Sequence, residues 1–391
     1  MFGSALGNVA GTLYFLVYQA VGILLAFMIF RRENRWFKLL FGSVMGSFLI
    51  HWLPTLMAFL MDFTLAAHIS ALMLLVLIFM AVLYFDKKCI EKDSGYQKET
   101  SFLKKSSDLT KKSALNGKVG VISRIVKVIK EKPVLVVLII LYCYTVKVWS
   151  HHVLTFKDGA VYAGQCTYGD MNMHLGFITS IANQKTFPPD YSILPGTKLA
   201  YPFLSDSISS SVYIFGASLK WAYILPMLFA LMQVMFGTYA LMDHILSDRK
   251  KTFLSYILFF LNGGLGFLYF INKGFSSQNF KRIFTEFYQT PTNYTTKNIM
   301  WHNVIADMLI PQRATLFGWA MLFPILYLIT KAVKEEKRKY FYIAGIIAGG
   351  LPLIHTHSFL ALGLLCAGFV LLELTNNSEK QFPVWGRIVI L

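Results

Sequence analysis

The chain has 391 residues, of which 55% are hydrophobic, 16% are aromatic and only 15% are charged. A soluble globular domain cannot hide that much apolar surface, so this composition excludes a soluble enzyme and predicts a polytopic membrane protein. The formal net charge is +17, but no motif for binding DNA or RNA accompanies it, and we therefore expect no nucleic-acid partner.

Nine apolar runs predict the architecture. They lie near 12–30, 37–60, 66–85, 134–150, 221–246, 253–272, 309–330, 340–354 and 358–374. Several approach or exceed the roughly 20 apolar residues that a helix needs to cross a bilayer. We therefore predict an all-α, polytopic transmembrane helix bundle with about nine spans. Another apolar run begins at the closing "GRIVIL", so we expect the sequence to be a fragment truncated at its C-terminus.

Basic segments between the runs predict the topology. They are "RRENR" at 31–35, the Lys-rich segment 87–133, "SDRKK" at 247–251 and "KEEKRK" at 334–339. The positive-inside rule puts all four on the cytoplasmic side, which leaves the N-terminus outside a multi-pass protein of the cell membrane. The chain then divides into an N-terminal three-helix membrane segment (1–86), a basic cytoplasmic loop (87–133) and a membrane core (134–391).

The longest external loop, 151–220, is predicted to carry two short helices. The first extends from Asp170 to Ile181, and the prolines of "FPPDYSILPG" end it because proline cannot continue a helix. The second candidate, "YPFLSDSISSSVYIFGAS" at 201–218, is too polar and too short for a convincing span. Since both of its neighbours must face outside, we expect it to lie along the membrane surface. Together the two helices would form a lid over the outer end of the bundle.

Asp170 and His174 are the first candidate site residues. They are four residues apart in "YGDMNMHLGFITS" and therefore share one face of the first loop helix. A carboxylate there can accept a proton from an incoming hydroxyl, or bind a divalent cation such as Mg²⁺ or Mn²⁺. His174 could be a second metal ligand or the acid–base partner. A helix cap at Asp170 with an interfacial His174 fits the same spacing, so these alternatives stay open.

Further polar residues occur at the predicted outer ends of the membrane runs. Arg313, at the start of one run, is suited to phosphate recognition or to anchoring the helix at the interface. His355 and His357 in "PLIHTHSF" indicate metal or phosphate contacts, although interfacial histidines would fit as well. His302 stands in "IMWHNVIADM", a cluster that an aromatic belt would also explain. We predict that these four residues bind substrate.

The run "GDMNMHLGFITSIANQKTFPPDYSILPGTKLAYPFLSDSISSSVYIFG", followed by "ILPMLFALMQVMFGTYALMDHIL", resembles the first external loop and next membrane helix of GT-C glycosyltransferases. In the order of its features it is most similar to oligosaccharyltransferase catalytic subunits. Their loop has an acidic residue, a short helix, an "FP" turn, a "YP" step and a second surface helix. On this resemblance Asp170 is the loop carboxylate, and Tyr201 of "YPF" joins the substrate-binding residues. The resemblance implies a transferase that takes a sugar from a polyprenyl-phosphate carrier on the outer side.

The sequence departs from the oligosaccharyltransferase plan. Three apolar runs and a basic loop precede the similar region, and no WWD-type acceptor motif is found. The resemblance therefore implies a lipid-linked or cell-surface glycan acceptor rather than a peptide.

Three functions remain open from the sequence. The leading hypothesis is a GT-C-like glycosyltransferase that faces the outside, with a lipid-linked sugar donor and membrane lipid as partners. A transporter or lipid flippase would need charged or broken segments at the bilayer midplane. In a non-catalytic envelope-assembly protein the external polar residues would not converge. If the first hypothesis is right, Asp170, His174, Arg313 and His355 should surround one cavity. The oligomeric state is not indicated.

Overall fold

The computed structural model describes residues 3–100, 133–164, 167–194, 196–269, 295–300 and 302–375. Within these ranges the protein is a bundle of α-helices, which confirms the predicted all-α class. The strands found in these ranges form a single hairpin, in which β1 (Thr155–Lys157) pairs antiparallel with β2 (Ala160–Tyr162). The predicted cytoplasmic loop lies largely outside the described residues, because 101–132 belong to it.

Twelve α-helices follow one another in the described ranges. They are α1 (Ala5–Ile29), α2 (Arg35–Met61), α3 (Leu65–Thr100), α4 (Pro133–His152), α5 (Tyr168–Gln184), α6 (Leu204–Ile214), α7 (Leu219–Leu246), α8 (Arg249–Phe260), α9 (Gly266–Tyr269), α10 (Arg313–Glu335), α11 (Arg338–Gly349) and α12 (Thr356–Thr375). A π-helical turn (Val304–Leu309) precedes α10, and a 3₁₀ turn (Leu351–Leu353) precedes α12.

Six of these helices are long and apolar enough to cross a membrane. They are α1, α2, the Leu65–Lys88 part of α3, α4, α7 and α10. The other three predicted spans are shorter: α8 and α11 have 12 residues each, and the apolar part of α12 is Thr356–Leu372. A 12-residue helix is about 18 Å long, which is less than the roughly 30 Å of a hydrocarbon core. The count of about nine spans therefore stays a prediction, whereas six membrane-length helices are present.

Helices α1 and α2 pack closely because glycines line their contact. A Cβ atom added to Gly22 of α1 would lie 2.3 Å from the backbone nitrogen of Gly46 and 2.4 Å from the carbonyl oxygen of Gly42 on α2. Gly42 and Gly46 form a GxxxG pattern, which lets helix backbones approach each other inside membranes. Beside this contact, Gln19 of α1 donates to Ser47 of α2 at 3.1 Å.

The starts of α1, α7 and α10 lie at one end of the bundle, which we call the site end. The side-chain oxygen of Asn8 on α1 accepts a hydrogen bond from the backbone N–H of Ser218, just before α7. Arg313, the first residue of α10, donates to the backbone carbonyl of Tyr223 on α7 at 2.8 Å. Because α7 and α10 start together and pack along their lengths, they run in parallel.

The turns at 30–35 and 336–339 meet at the opposite end, which we call the basic end. Glu33 accepts a hydrogen bond from the hydroxyl of Tyr340, and its carboxylate lies 3.2 Å from Nζ of Lys331 and 3.8 Å from Nζ of Lys337. Two of the four basic segments that the sequence places inside are thus joined by the ion pair between Glu33 and Lys337. Their contact agrees with a common side of the membrane.

Helix α6 is not the surface helix that the sequence predicts. Every residue from Leu204 to Val212 is buried, because α5 covers α6 on one side while α1, α2 and α7 pack against it. Its serines are accommodated through hydrogen bonds to backbone carbonyls: Ser210, for example, donates to Ile178 of α5 at 2.9 Å. Small polar side chains that bond to the backbone permit close packing between helices. The expectation of a second helix lying on the surface is therefore wrong, and only α5 lies on the outside of this pair.

Candidate functional site

Helix α5 brings the first two candidate residues to the site end. It begins after Thr167, has Asp170 in its first turn, and ends at Lys185, whose left-handed backbone conformation stops the helix. Met171, His174 and Ile178 follow one another at helical spacing on the buried face. Asp170 is half-buried. It is not the N-cap residue, so the capping alternative does not describe its position.

A cavity of about 640 Å³ opens beside this helix. Its lining residues are Asp170, His174, Tyr201, Pro202, Met308, Gln312, Ala314, Thr315, Trp319, Leu322, His355, Thr356, His357, Ser358 and Ala361. Five of the seven predicted site residues are among them. The starts of α5, α10 and α12 thus converge, although long stretches of sequence separate them. The α10 side contributes mainly apolar groups, so the cavity has a polar wall and an apolar wall.

His174 is oriented by a carboxylate that the sequence reasoning did not select. Its Nδ1 lies 3.0 Å from both carboxylate oxygens of Asp206 on α6. An ionised carboxylate only accepts hydrogen bonds, so Nδ1 carries the proton and donates it. In the neutral ring this leaves Nε2 as an acceptor, and no described residue is a hydrogen-bond partner of Nε2.

Asp206 also pairs with Arg313, so the three side chains form one buried chain. Nε of Arg313 lies 3.3 Å from a carboxylate oxygen of Asp206, and both side chains are fully buried. The same guanidinium donates to the carbonyls of Ser205 and Tyr223 and to the hydroxyl of Ser209. A buried charge pair is stable only when further hydrogen bonds satisfy both partners. These contacts provide them for the arginine.

The position of Arg313 does not support the predicted phosphate contact. Each of its three nitrogens donates to a protein oxygen, and Arg313 is absent from the cavity lining. The rings of Tyr223 and Phe317 cover its guanidinium at 4.8 and 4.9 Å. His302 also lies outside the cavity. It is exposed, and its Nε2 lies 3.2 Å from the sulfur of Met300. The predicted convergence is therefore met by Asp170, His174 and His355, but not by Arg313.

His355 and His357 lie together on the far side of the cavity. Their ring centroids are 5.4 Å apart, and Nδ1 of His355 lies 2.8 Å from the hydroxyl of Ser358. Burial, with the neighbouring His357 as a smaller cause, lowers the pKa of His355 to about 4. His355 is therefore neutral at physiological pH, and it can contribute hydrogen bonds to a ligand but no positive charge.

Tyr201 connects the two helices of the loop. Its ring lies 6.1 Å from the ring of His174 in an edge-on arrangement and 5.4 Å from that of Phe177. Burial raises the pKa of Tyr201 to about 12, and the charges of Asp206 and Asp170 add to the effect. The phenol therefore stays protonated and can serve as a hydrogen-bond donor in the cavity.

The two predicted metal ligands have the right donor chemistry but form a small set. Asp170 offers carboxylate oxygens for which the described residues supply no hydrogen bond or ion pair, and His174 offers Nε2 with Asp206 behind it. A histidine that donates its other N–H to a carboxylate is the usual second shell of a metal site. Within the described ranges, no group of three or more His, Cys, Asp or Glu side chains is placed to hold a metal ion. Substrate oxygens or water would have to complete the coordination, as is common for Mg²⁺.

Sequence reasoning missed Asp206, Gln312 and Trp319. Asp206 is the one carboxylate in the stretch "YPFLSDSISSSVYIFGAS". Because this helix is buried, a lone carboxylate on it needs a charged or hydrogen-bonding partner, and that need is the signal. Reading that helix as a surface helix hid this signal.

Comparison of the chain with protein-family models, curated proteins and solved structures gives no match.

Proposed function

We propose that this protein is a membrane glycosyltransferase of the GT-C type. It would move a sugar from a polyprenyl-phosphate donor to a lipid-linked or cell-surface glycan acceptor. One observation carries the proposal: Asp170, His174, Tyr201, His355 and His357 line a single cavity. The apolar wall suits a lipid-linked substrate, whereas the polar wall suits the sugar and the phosphate.

The chemistry of the polar wall fits such a transfer. The acceptor hydroxyl gives its proton to Asp170, its oxygen forms a bond to the anomeric carbon, and the bond from that carbon to the phosphate oxygen breaks. The electrons of that bond leave with the polyprenyl phosphate. His174 is held by Asp206 so that Nε2 accepts hydrogen bonds, which suits it to orient the acceptor hydroxyl or to bind a cation.

The leaving phosphate needs stabilisation, and Arg313 is occupied elsewhere. Tyr201 and the neutral His355 can donate hydrogen bonds to phosphate oxygens. A divalent cation bound by Asp170 and His174 would supply the missing positive charge. The proposed function therefore includes a requirement for Mg²⁺ or Mn²⁺, and phosphate oxygens and water would be its further ligands.

The test uses purified protein reconstituted in liposomes with a polyprenyl-phosphate sugar and membrane glycan acceptors. Asp170→Asn should abolish transfer while the protein stays folded, because the amide is neither a base nor a strong cation ligand. The matched control is Asp158→Asn, on the exposed turn between β1 and β2, whose left-handed backbone asparagine adopts readily. Full turnover by the Asp170 variant would refute the assignment. Loss of turnover on chelation, restored by Mn²⁺, would support the cation.

The cavity is less easily explained by the transporter alternative. A transport path requires polar groups that continue across the bilayer. The buried polar cluster of Gln19, Ser43, Ser47 and Gln233 joins α1, α2 and α7 through hydrogen bonds between these side chains, which is how polar groups hold membrane helices together. None of these four residues lines the cavity.

A further inference from the structure

A second cavity of about 530 Å³ lies at the basic end, so α10 separates it from the first cavity at the site end. Four cationic side chains line it, Arg31, Arg32, Lys337 and Lys339, and Asp86 is the one carboxylate among the lining residues. The first two follow α1, Lys337 lies between α10 and α11, and Lys339 is in the first turn of α11. The same part of the molecule contains the ion pairs of Glu33.

Only some of these cations are neutralised. Arg31 forms an ion pair with Asp86 and also donates to its backbone carbonyl at 2.9 Å. Lys337 pairs with Glu335. Arg32 has no hydrogen-bond or ion-pair partner among the described residues. Two of the four positive charges are thus balanced, which leaves an excess at the cavity.

Lys339 forms no direct ion pair with a described residue, although the carboxylates of Glu33 and Glu335 lie close enough to act on its charge. Its Nζ donates to the carbonyl of Ile29 at 3.4 Å and lies 5.9 Å from the ring of Phe30 and 5.4 Å from that of Tyr340. Carbonyl and ring contacts orient an ammonium group but do not neutralise it. Arg32 and Lys339 are therefore two cations at one cavity, and neither forms an ion pair with a described residue.

The rest of the cavity wall is apolar. Met28 and Ile29 come from the last turn of α1, and Val82 and Phe85 come from α3 near the end of its membrane-length part. The ring of Phe85 is 63% exposed, so it is open to a neighbouring lipid chain. Cations that follow the ends of apolar helices lie at headgroup depth, and the preceding apolar turns lie at the depth of the acyl chains.

We propose that this cavity binds the headgroup of an anionic phospholipid. Its phosphate would lie between Arg32 and Lys339, and the first carbons of one acyl chain would pack against Val82 and Phe85. Basic pockets between membrane helices on the cytoplasmic side recognise lipid phosphates in this way. The proposal does not depend on the function proposed for the site end.

The experiment counts bound lipids by native mass spectrometry of the detergent-purified chain. Phosphatidylglycerol should remain bound at concentrations at which phosphatidylcholine does not. The double variant Arg32→Gln/Lys339→Gln should weaken phosphatidylglycerol binding by roughly 25-fold, at about fivefold per cation. Phosphatidylcholine binding should not change. Arg32 has no partner to lose, so Arg32→Gln alone, with an expected fivefold effect, covers the case in which the double variant fails to fold.

The matched control is Lys250→Gln/Lys251→Gln, which removes two cations of another predicted inside segment that do not line the cavity. An equal loss of binding in this control would overturn the proposal, because it would make the overall charge responsible. Wild-type affinity in the Arg32 variants would overturn it as well. Glycerol 3-phosphate is the competitor: displacement of the lipid at equal concentration would show a site for soluble phosphate esters and refute the lipid assignment.

Discussion

Asp206 is buried between His174 and Arg313, and these three residues come from three different helices. Its carboxylate accepts from His174 Nδ1 at 3.0 Å and faces Nε of Arg313 at 3.3 Å. Both basic side chains therefore depend on a single carboxylate. The imidazole contributes to the cavity, whereas the guanidinium has a structural position that fixes the start of α10 against α6 and α7.

We expect Asp206→Ala to destabilise the protein by roughly 3–5 kcal/mol. Removing one partner of a buried ion pair leaves the other charge buried without compensation. The free energy of unfolding would be measured in detergent by denaturant titration. Asp190→Ala is the control: its ion pair with Lys198 is partly exposed, at 2.7 Å, and should contribute less than about 1 kcal/mol. Similar losses in both variants would contradict a compensating role for Asp206.

The sequence predicted individual site residues to different degrees. Asp170 and His174 were found because helical spacing is local, and a helix places residues four apart on one face. Arg313 was predicted to bind phosphate or to anchor its helix at the interface. Its partners instead lie on α6 and α7, and no local pattern shows that a guanidinium will face inward. Asp206 was missed for the same reason, since its importance depends on burial by a helix distant in sequence.

At the scale of the helices, the contact between α1 and α2 depends on the absence of side chains. Gly22 meets Gly42 and Gly46, and a Cβ atom at Gly22 would lie well inside the contact distance of two backbone atoms. Backbone atoms cannot rotate away as a flexible side chain can. The two helices would have to separate along a contact that also includes the hydrogen bond between Gln19 and Ser47.

We expect Gly22→Ala to lower the stability by about 1–3 kcal/mol, which is the range for overpacking a dense interior. The same substitution at Gly363 of α12 is the control, because a Cβ atom there would meet nothing within 4 Å. Gly363→Ala should be neutral or stabilising by up to about 1 kcal/mol, since alanine favours a helix. Thermal unfolding of both variants in the same detergent compares them. Equal melting temperatures would mean that the close contact is not needed.

The presence of the helices could be predicted from the sequence, whereas their lengths and their burial within the bundle could not. The apolar runs at 12–30, 37–60 and 221–246 correspond to α1, α2 and α7 because continuous apolar sequence favours a membrane-length helix. The run at 253–272 instead ends its helix at Phe260, before the glycines of "NGGLG". Glycine weakens a helix, and this outweighed the apolar content. In α6, Leu204, Ile208 and Val212 recur every four residues and predict one buried face. That the serines on its other faces are buried too depends on tertiary packing, which this pattern does not show.

On the scale of the whole molecule, the structure has two chemically different ends. The candidate active cavity lies where α1, α7 and α10 start, and the basic cavity lies where α1 and α10 end. Helix α10 joins them, and its 23 residues correspond to about 35 Å, enough to cross a hydrocarbon core. If the bundle crosses a membrane, the two cavities face opposite compartments. The positive-inside rule then puts the basic cavity in the cytoplasm.

Cysteine labelling tests this arrangement in intact cells. With the four native cysteines replaced, we expect Asp158→Cys, on the exposed turn of the β-hairpin, to react with a membrane-impermeant maleimide from outside. Arg338→Cys, exposed at the basic end, should react only after the membrane is permeabilised. The positively charged turns resist translocation, and the ion pairs of Glu33 with Lys331 and Lys337 keep the two turns on one side. Labelling of both cysteines from the same side would contradict the membrane-spanning assignment of α10, and labelling in reverse order would invert the topology and place the candidate active cavity in the cytoplasm.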